Sequence, residues 1–115
     1  MSIQRIQTGP RMSQAVIYNK TVYLAGQVAP GATVTIQTRE ILAGIDALLK
    51  EAGTDKSRLL SATIWLTDMA AVAEMNTVWQ AWVVAGATPA RATVTSAHLA
   101  SAEFKIELAV VAAQR

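Results

Sequence analysis

The sequence predicts an α+β domain, a six-stranded mixed sheet with two helices packed on one face, in the order β-β-β-α-β-α-β-β. Three observations lead there. Short runs in which apolar and polar residues alternate occupy both ends of the chain and one stretch between them, and a period of two marks strands. Two longer stretches carry apolar residues at helical spacing instead. Two helices cannot cover both faces of such a sheet, so both are expected on the same side.

Ile3 to Gln7, Ala15 to Tyr18 and Val22 to Ala25 are the first three strands, with Asn19-Lys20 as a tight hairpin turn. Gly26, Pro30 and Gly31 then punctuate a loop. From about Thr35 to Ala52, the residues Ile41, Leu42, Ile45, Leu48, Leu49 and Ala52 fall in one stripe, and Gly53 supplies the stop. Leu59 to Thr67 reads as a strand, with Ala62, Ile64 and Leu66 on one face and Ser61, Thr63 and Trp65 on the other. Asp68 suits the N-cap of a second helix running to about Ala85, with Gly86 beyond it. Val72, Val78, Trp79, Trp82 and Val83 are its expected buried side.

The last two strands are Pro89 to Val94 and Phe104 to Ala112. The second of these is nearly apolar on both faces, as a central strand should be. The sheet face away from the helices would show Thr63, Trp65, Thr93, Ala109 and Val111. That set is too apolar for open water, and a closed symmetric oligomer packing sheet against sheet is the expected remedy.

At 115 residues the chain is expected to be one domain, residues 1–115, near the size where a subunit partner helps stability. Its composition narrows the chemistry. There is no cysteine, which excludes disulfides, thiolate metal sites and thiol nucleophiles. His98 is the only histidine and falls in the break between the last two strands, so a metal site or a histidine triad has little to build on. The net charge is +2, yet the ten basic residues are scattered among acids. No basic stripe forms, and nucleic acid is not an expected partner. No apolar run approaches the roughly 20 residues that cross a bilayer, and Met1-Ser2-Ile3-Gln4-Arg5 opens no signal-peptide core. No membrane partner is expected, and the cytoplasm is the expected location.

Two charges stand inside strand-like runs. Arg91 precedes Ala92 and Val94, and Glu107 lies between Ile106 and Leu108; burying either is costly without a partner. A guanidinium beside the Pro89-Ala90 turn suits a fork onto a ligand carboxylate, subunit contact being its other use. Glu107 either bridges to a base across an interface or works as a catalytic carboxylate. Asn76 lies four after Val72 and three before Trp79, on the buried stripe of the second helix. A buried asparagine serves a specific bond, here to a neighbouring loop or to a ligand.

Gly9-Pro10 with Ser13-Gln14-Ala15-Val16, Ala25-Gly26-Gln27, Met75-Asn76, Pro89-Ala90-Arg91 and Lys105-Ile106-Glu107 follow one another in the order and spacing of a known family. In these marks the chain resembles the Rid family (RidA/YjgF) over essentially its whole length. The resemblance implies a chorismate-mutase-like fold, a homotrimer and ligand clefts between subunits. It also implies hydrolysis of reactive enamines and imines, 2-aminoacrylate among them, to 2-keto acids and ammonia, without metal or cofactor. On the same footing Arg91 grips the substrate carboxylate and Glu107 activates or positions water. Gly26 offers a backbone contact, and Gln27, Asn76, Thr93 and Met12 line the site.

The departures are specific. Met12 stands where active members commonly carry tyrosine, Ala25 where they often carry serine, and Thr93 where many carry cysteine. A pocket without the first two hydroxyls is less polar. It implies either a substrate bulkier and more apolar than 2-aminoacrylate or weak activity. A carboxylate such as Glu107 in a cleft suits a proton shuttle between water and nitrogen. The competing readings are a non-catalytic module that holds a small carboxylic acid in the same clefts, and an endoribonuclease, after the family's older labels. Phosphate chemistry has few supports in this composition.

Overall fold

The computed structural model describes residues 2–115. Strands β1 (Gln4–Thr8), β2 (Ser13–Tyr18) and β3 (Thr21–Leu24) form a meander, followed by helix α1 (Val34–Glu51) and strand β4 (Leu59–Leu66). Helix α2 (Val72–Trp82), β5 (Ala90–Thr95) and β6 (Ile106–Ala113) complete the chain. The element order is the expected one. The six strands form one sheet in the order β1-β2-β3-β6-β4-β5. Every neighbouring pair is antiparallel except β4 and β5, which run parallel and are joined through α2. As expected, β6 is central. Its residues Ile106, Leu108, Val110 and Ala112 pack in a single core with Ile41, Ile45, Leu48 and Leu49 of α1 and Met75, Val78 and Trp79 of α2. Among the described residues, no helix is long and apolar enough to cross a membrane.

Local chemistry explains the boundaries. Asn19 and Lys20 have φ of 51° and 62°, the left-handed pair of a tight hairpin turn. Thr33 caps α1 by accepting from Ile36 N (3.1 Å). At the other end Gly53 has φ +79°, while Gly53 N donates to Lys50 O (3.1 Å) and Thr54 N to Leu49 O (2.9 Å). That pair of bonds closes the helix as the glycine predicted.

The second helix departs from expectation at both ends. Asp68 caps a 3-10 turn, Met69–Ala71, accepting from Ala70 N (2.9 Å), and α2 itself starts at Val72. It stops at Trp82 because Val83 is already extended, with ψ 154°; consecutive β-branched residues at 83 and 84 disfavour another helical turn. Met75, absent from the expected stripe, is fully buried.

One side chain falls on the other face from that expected. Thr93 pairs with Ile64 across the parallel ladder, and neighbours across a ladder point the same way. Thr93 therefore faces the helix side, and Ala92 and Val94 join Thr63 and Trp65 on the far face. Tyr18, Tyr23 and Val94 lie 45%, 48% and 40% exposed there, so the far face of the single chain is apolar and open.

Candidate functional site

Arg91 sits on the edge strand β5, beside Ala62 in the ladder and on the helix side of the sheet. Its Nη1 donates to Asn76 Oδ1 at 2.8 Å, and its guanidinium carbon lies 5.6 Å from the centre of the Trp79 ring. Asn76 and Trp79 are three apart on α2, so both reach the same spot. Within the chain, the partner of Asn76 Oδ1 is Arg91, which is neither the loop nor the ligand expected. An asparagine orients the cation without neutralising it. Arg91 is exposed, and the one ion pair among the described residues is Arg115 with Asp55. Two residues along the same face, the buried Thr93 Oγ1 has no hydrogen-bond partner among the described residues. An unpaired buried hydroxyl is costly, and here it stands beside a cation with donors to spare.

Glu107 is the second residue of β6, paired with Trp65 and half-buried on the far face of the sheet. Its carboxylate lies on the backbone of Gly26, where a Cβ would come 2.1 Å from Oε2 and 2.9 Å from Cδ. Only glycine leaves that space. Gln27 and Leu108 exchange two backbone bonds, Gln27 N to Leu108 O (2.8 Å) and Leu108 N to Gln27 O (3.1 Å), which fix this contact. Gln27 Nε2 donates to Gln14 Oε1 and to Ala25 O, each at 3.0 Å, and Ala25 N to Gln14 O at 2.9 Å. The front motif is thus drawn under Glu107. Met12 lies at the same end, in the β1–β2 turn, 48% exposed, its carbonyl accepting from Gly9 N (2.7 Å).

The site residues therefore fall into two groups. Arg91, Asn76 and Thr93 lie on the helix side of the sheet edge; Glu107, Gly26 and Gln27 lie together at its centre, with Glu107 on the opposite face. One chain does not bring the guanidinium to the carboxylate. Each half is an open surface, and two clefts of about 530 Å³ each lie elsewhere. One is between α1 and α2 beside Arg39, Asp46 and Trp82; the other is beside Arg5 and Glu51. The placement of the unneutralised cation and of the seated carboxylate outweighs cleft size, since neither cleft touches them. Sequence reasoning missed Trp79 as the platform under Arg91, and Gln14 under Gln27. The three-residue spacing from Asn76 was the available signal for the first.

The family model described as Endoribonuclease L-PSP matches residues 2–114. A protein described as RutC family protein YoaB, from Escherichia coli strain K12, is 45% identical over 114 residues, spanning 98% of this chain and 99% of that one. A mouse protein described as 2-iminobutanoate/2-iminopropanoate deaminase is 30% identical over 111 residues, spanning 89% and 80%. The crystal structure of a YjgF-family member from Neisseria meningitidis superposes with a TM-score of 0.97 at 46% identity, covering 100% of this chain and 97% of that one. Sheet order, motif order and these likenesses agree along nearly the whole length, and the chain belongs to the RutC/YjgF (Rid) family.

Proposed function

We propose that this protein hydrolyses reactive 2-imino acids, and the enamines that tautomerise to them, to 2-keto acids and ammonia. The clefts would lie between subunits of a homotrimer in the cytoplasm. The observation that carries the reading is the state of Arg91, whose guanidinium is held by the neutral Asn76 and matched by no acid. A cation so placed suits a small carboxylate. The separation of the two half-sites supports the oligomer: a substrate gripped by Arg91 meets a Glu107 only if a second chain supplies it. The apolar far face, with Tyr23 and Val94 exposed, is the kind of surface that such packing covers. The mouse relative's description as an imino-acid deaminase supports the reaction class.

The reaction needs orientation and one proton relay. Arg91 fixes the carboxylate, and Thr93 Oγ1 supplies a further polar contact. Water adds to C2 of the imine as Glu107 takes one water proton and passes it to the nitrogen, giving the carbinolamine. Glu107 then takes the carbinolamine hydroxyl proton and delivers it to the amine, the C=O bond forms as the C–N bond breaks, ammonia leaves and the keto acid remains. Positioning of this sort supplies on the order of 7 kcal/mol of barrier lowering at best. Met12 and Ala25 lack hydroxyls, which favours a substrate with an apolar side chain. The same two residues favour a second reading, a module that binds such acids without consuming them.

An amino acid oxidase that generates imines in situ provides the assay, with keto-acid formation followed in the presence of the protein. Acceleration is expected, and Arg91→Ala is expected to raise KM about tenfold or more, since a charged hydrogen bond is lost. No acceleration with any of several amino acids, or full activity in a folded Arg91→Ala variant, overturns the proposal. A carboxylic acid that raises Tm without being consumed selects the binding module.

A further inference from the structure

Gln37 is completely buried in the first turn of α1. Its amide uses both hydrogens and its oxygen. Nε2 donates to the carbonyls of Gly31 (3.0 Å) and Glu103 (2.9 Å), and Oε1 accepts from Lys105 N (2.9 Å). A carbonyl and an N–H two residues apart are what the N–H and C=O of one residue in a neighbouring parallel strand would bond. The side chain thus docks on the segment entering β6 in place of a strand residue. Lys105 O in turn accepts from Thr67 N (3.1 Å), the residue that follows β4.

The two segments that Gln37 joins are the ones that meet at the site. Gly31 belongs to the loop that begins at Gly26, and residues 103–105 run directly into Glu107. A Cβ on Gly31 would lie 2.7 Å from Ile36 Cγ2 and 3.3 Å from Gln37 Cγ, so glycine is needed for this approach as well. Arg91, Asn76 and Thr93 belong to β5 and α2, and none of them bonds to Gln37.

We propose that Gln37 is a positioning residue that sets the Glu107 carboxylate against Gly26, and with it the rate of water addition, leaving carboxylate capture by Arg91 unchanged. The kinetic part rests on the hydrolytic reading of Glu107. Gln37→Met keeps the shape and removes all three bonds, stranding a buried N–H and two carbonyls.

Four proteins test this: wild type, Gln37→Met, Glu107→Gln and the double variant, each followed by kinetics and by amide hydrogen exchange. Gln37→Met is expected to lower kcat about tenfold or more with KM within about twofold. In the Glu107→Gln background the same change should cost almost nothing, because its effect passes through that carboxylate. Exchange at the Gln27 and Leu108 amides should quicken. Equal losses in both backgrounds overturn the proposal by making Gln37 a general structural residue. If the wild type turns nothing over, the hydrolytic reading fails by itself and the exchange arm decides alone: unchanged protection at Gln27 and Leu108 overturns the positioning role. Should Gln37→Met not fold, Gly31→Ala strains the same amide from outside and is read by the same measurements.

Discussion

At Gly26 the difference between a hydrogen and a methyl group decides where the Glu107 carboxylate can lie, since a Cβ would come within 2.1 Å of Oε2. The obstructed atoms are the end of a flexible side chain, so an alanine is admitted by swinging the carboxylate aside at little cost in stability. Gly26→Ala is therefore expected to leave Tm and keto-acid binding nearly unchanged while lowering kcat about tenfold or more. An unchanged kcat would detach this contact from the chemistry. Arg91 and Glu107 were legible in the sequence because each is an ion inside an apolar alternating run. Their surroundings were not. Alternation says which residues of one strand share a face; it does not say which face of the neighbouring strand they join, and that is how Thr93 was misplaced. Trp79 read as core, which it is, and nothing in its type told that its ring also lies near a guanidinium.

Among the elements, the turn between α1 and β4 is held by a titratable group. Asp55 accepts from Ser57 N (2.8 Å) and from the Ser57 hydroxyl, and pairs with the Arg115 guanidinium. These contacts, the Ser57 hydroxyl foremost and Arg115 next, hold its carboxyl at about 2 against an ordinary 3.8. A depressed value means that the contribution is complete above the ordinary pKa and fades as pH falls from 3.8 towards about 2. Asp55→Asn is expected to flatten the loss of stability in that window, measured as urea midpoint against pH. Parallel curves for the two proteins would show that the contact does nothing for the fold. Because the group is exposed, salt should shrink the difference.

Element by element, α1, the Asn19-Lys20 hairpin and the Gly53 stop were readable because strong periodicity and obligatory turn residues coincide there. The ends of α2 were not, because Asp68 caps a preliminary turn and Val83 ends the helix three residues before the expected Gly86 signal region begins. Glu74 of α2 also accepts from Thr35 N (2.8 Å) and Thr35 Oγ1 (2.7 Å), which pulls its carboxyl below the ordinary range. It thereby satisfies a first-turn N–H of α1, a pairing between helices that no local pattern announces.

For the molecule as a whole, the division of the site between two faces has a sharp consequence in mixtures. If each cleft takes Arg91 from one chain and Glu107 from its neighbour, Arg91→Ala and Glu107→Gln proteins are each strongly impaired alone. Unfolded together and refolded as mixed oligomers, they should regain full activity in about a quarter of the clefts, as random assembly of equal parts requires. No regain in mixed oligomers would mean that both groups act within one chain, against the placement described here. The apolar far face that suggested an oligomer was legible in the sequence, whereas which residues lie on which face of the sheet was not, since that depends on strand register.

The last strand lies between elements made long before it. β6 fills the gap between β3 and β4, so until Ile106 to Ala113 arrive the meander and the parallel pair are separate ribbons with two raw edges turned toward each other. Such distant pairings make assembly slow and leave those edges available to foreign strands. A chain cut before Ile106 is therefore expected to expose both edges and to aggregate where the whole chain does not.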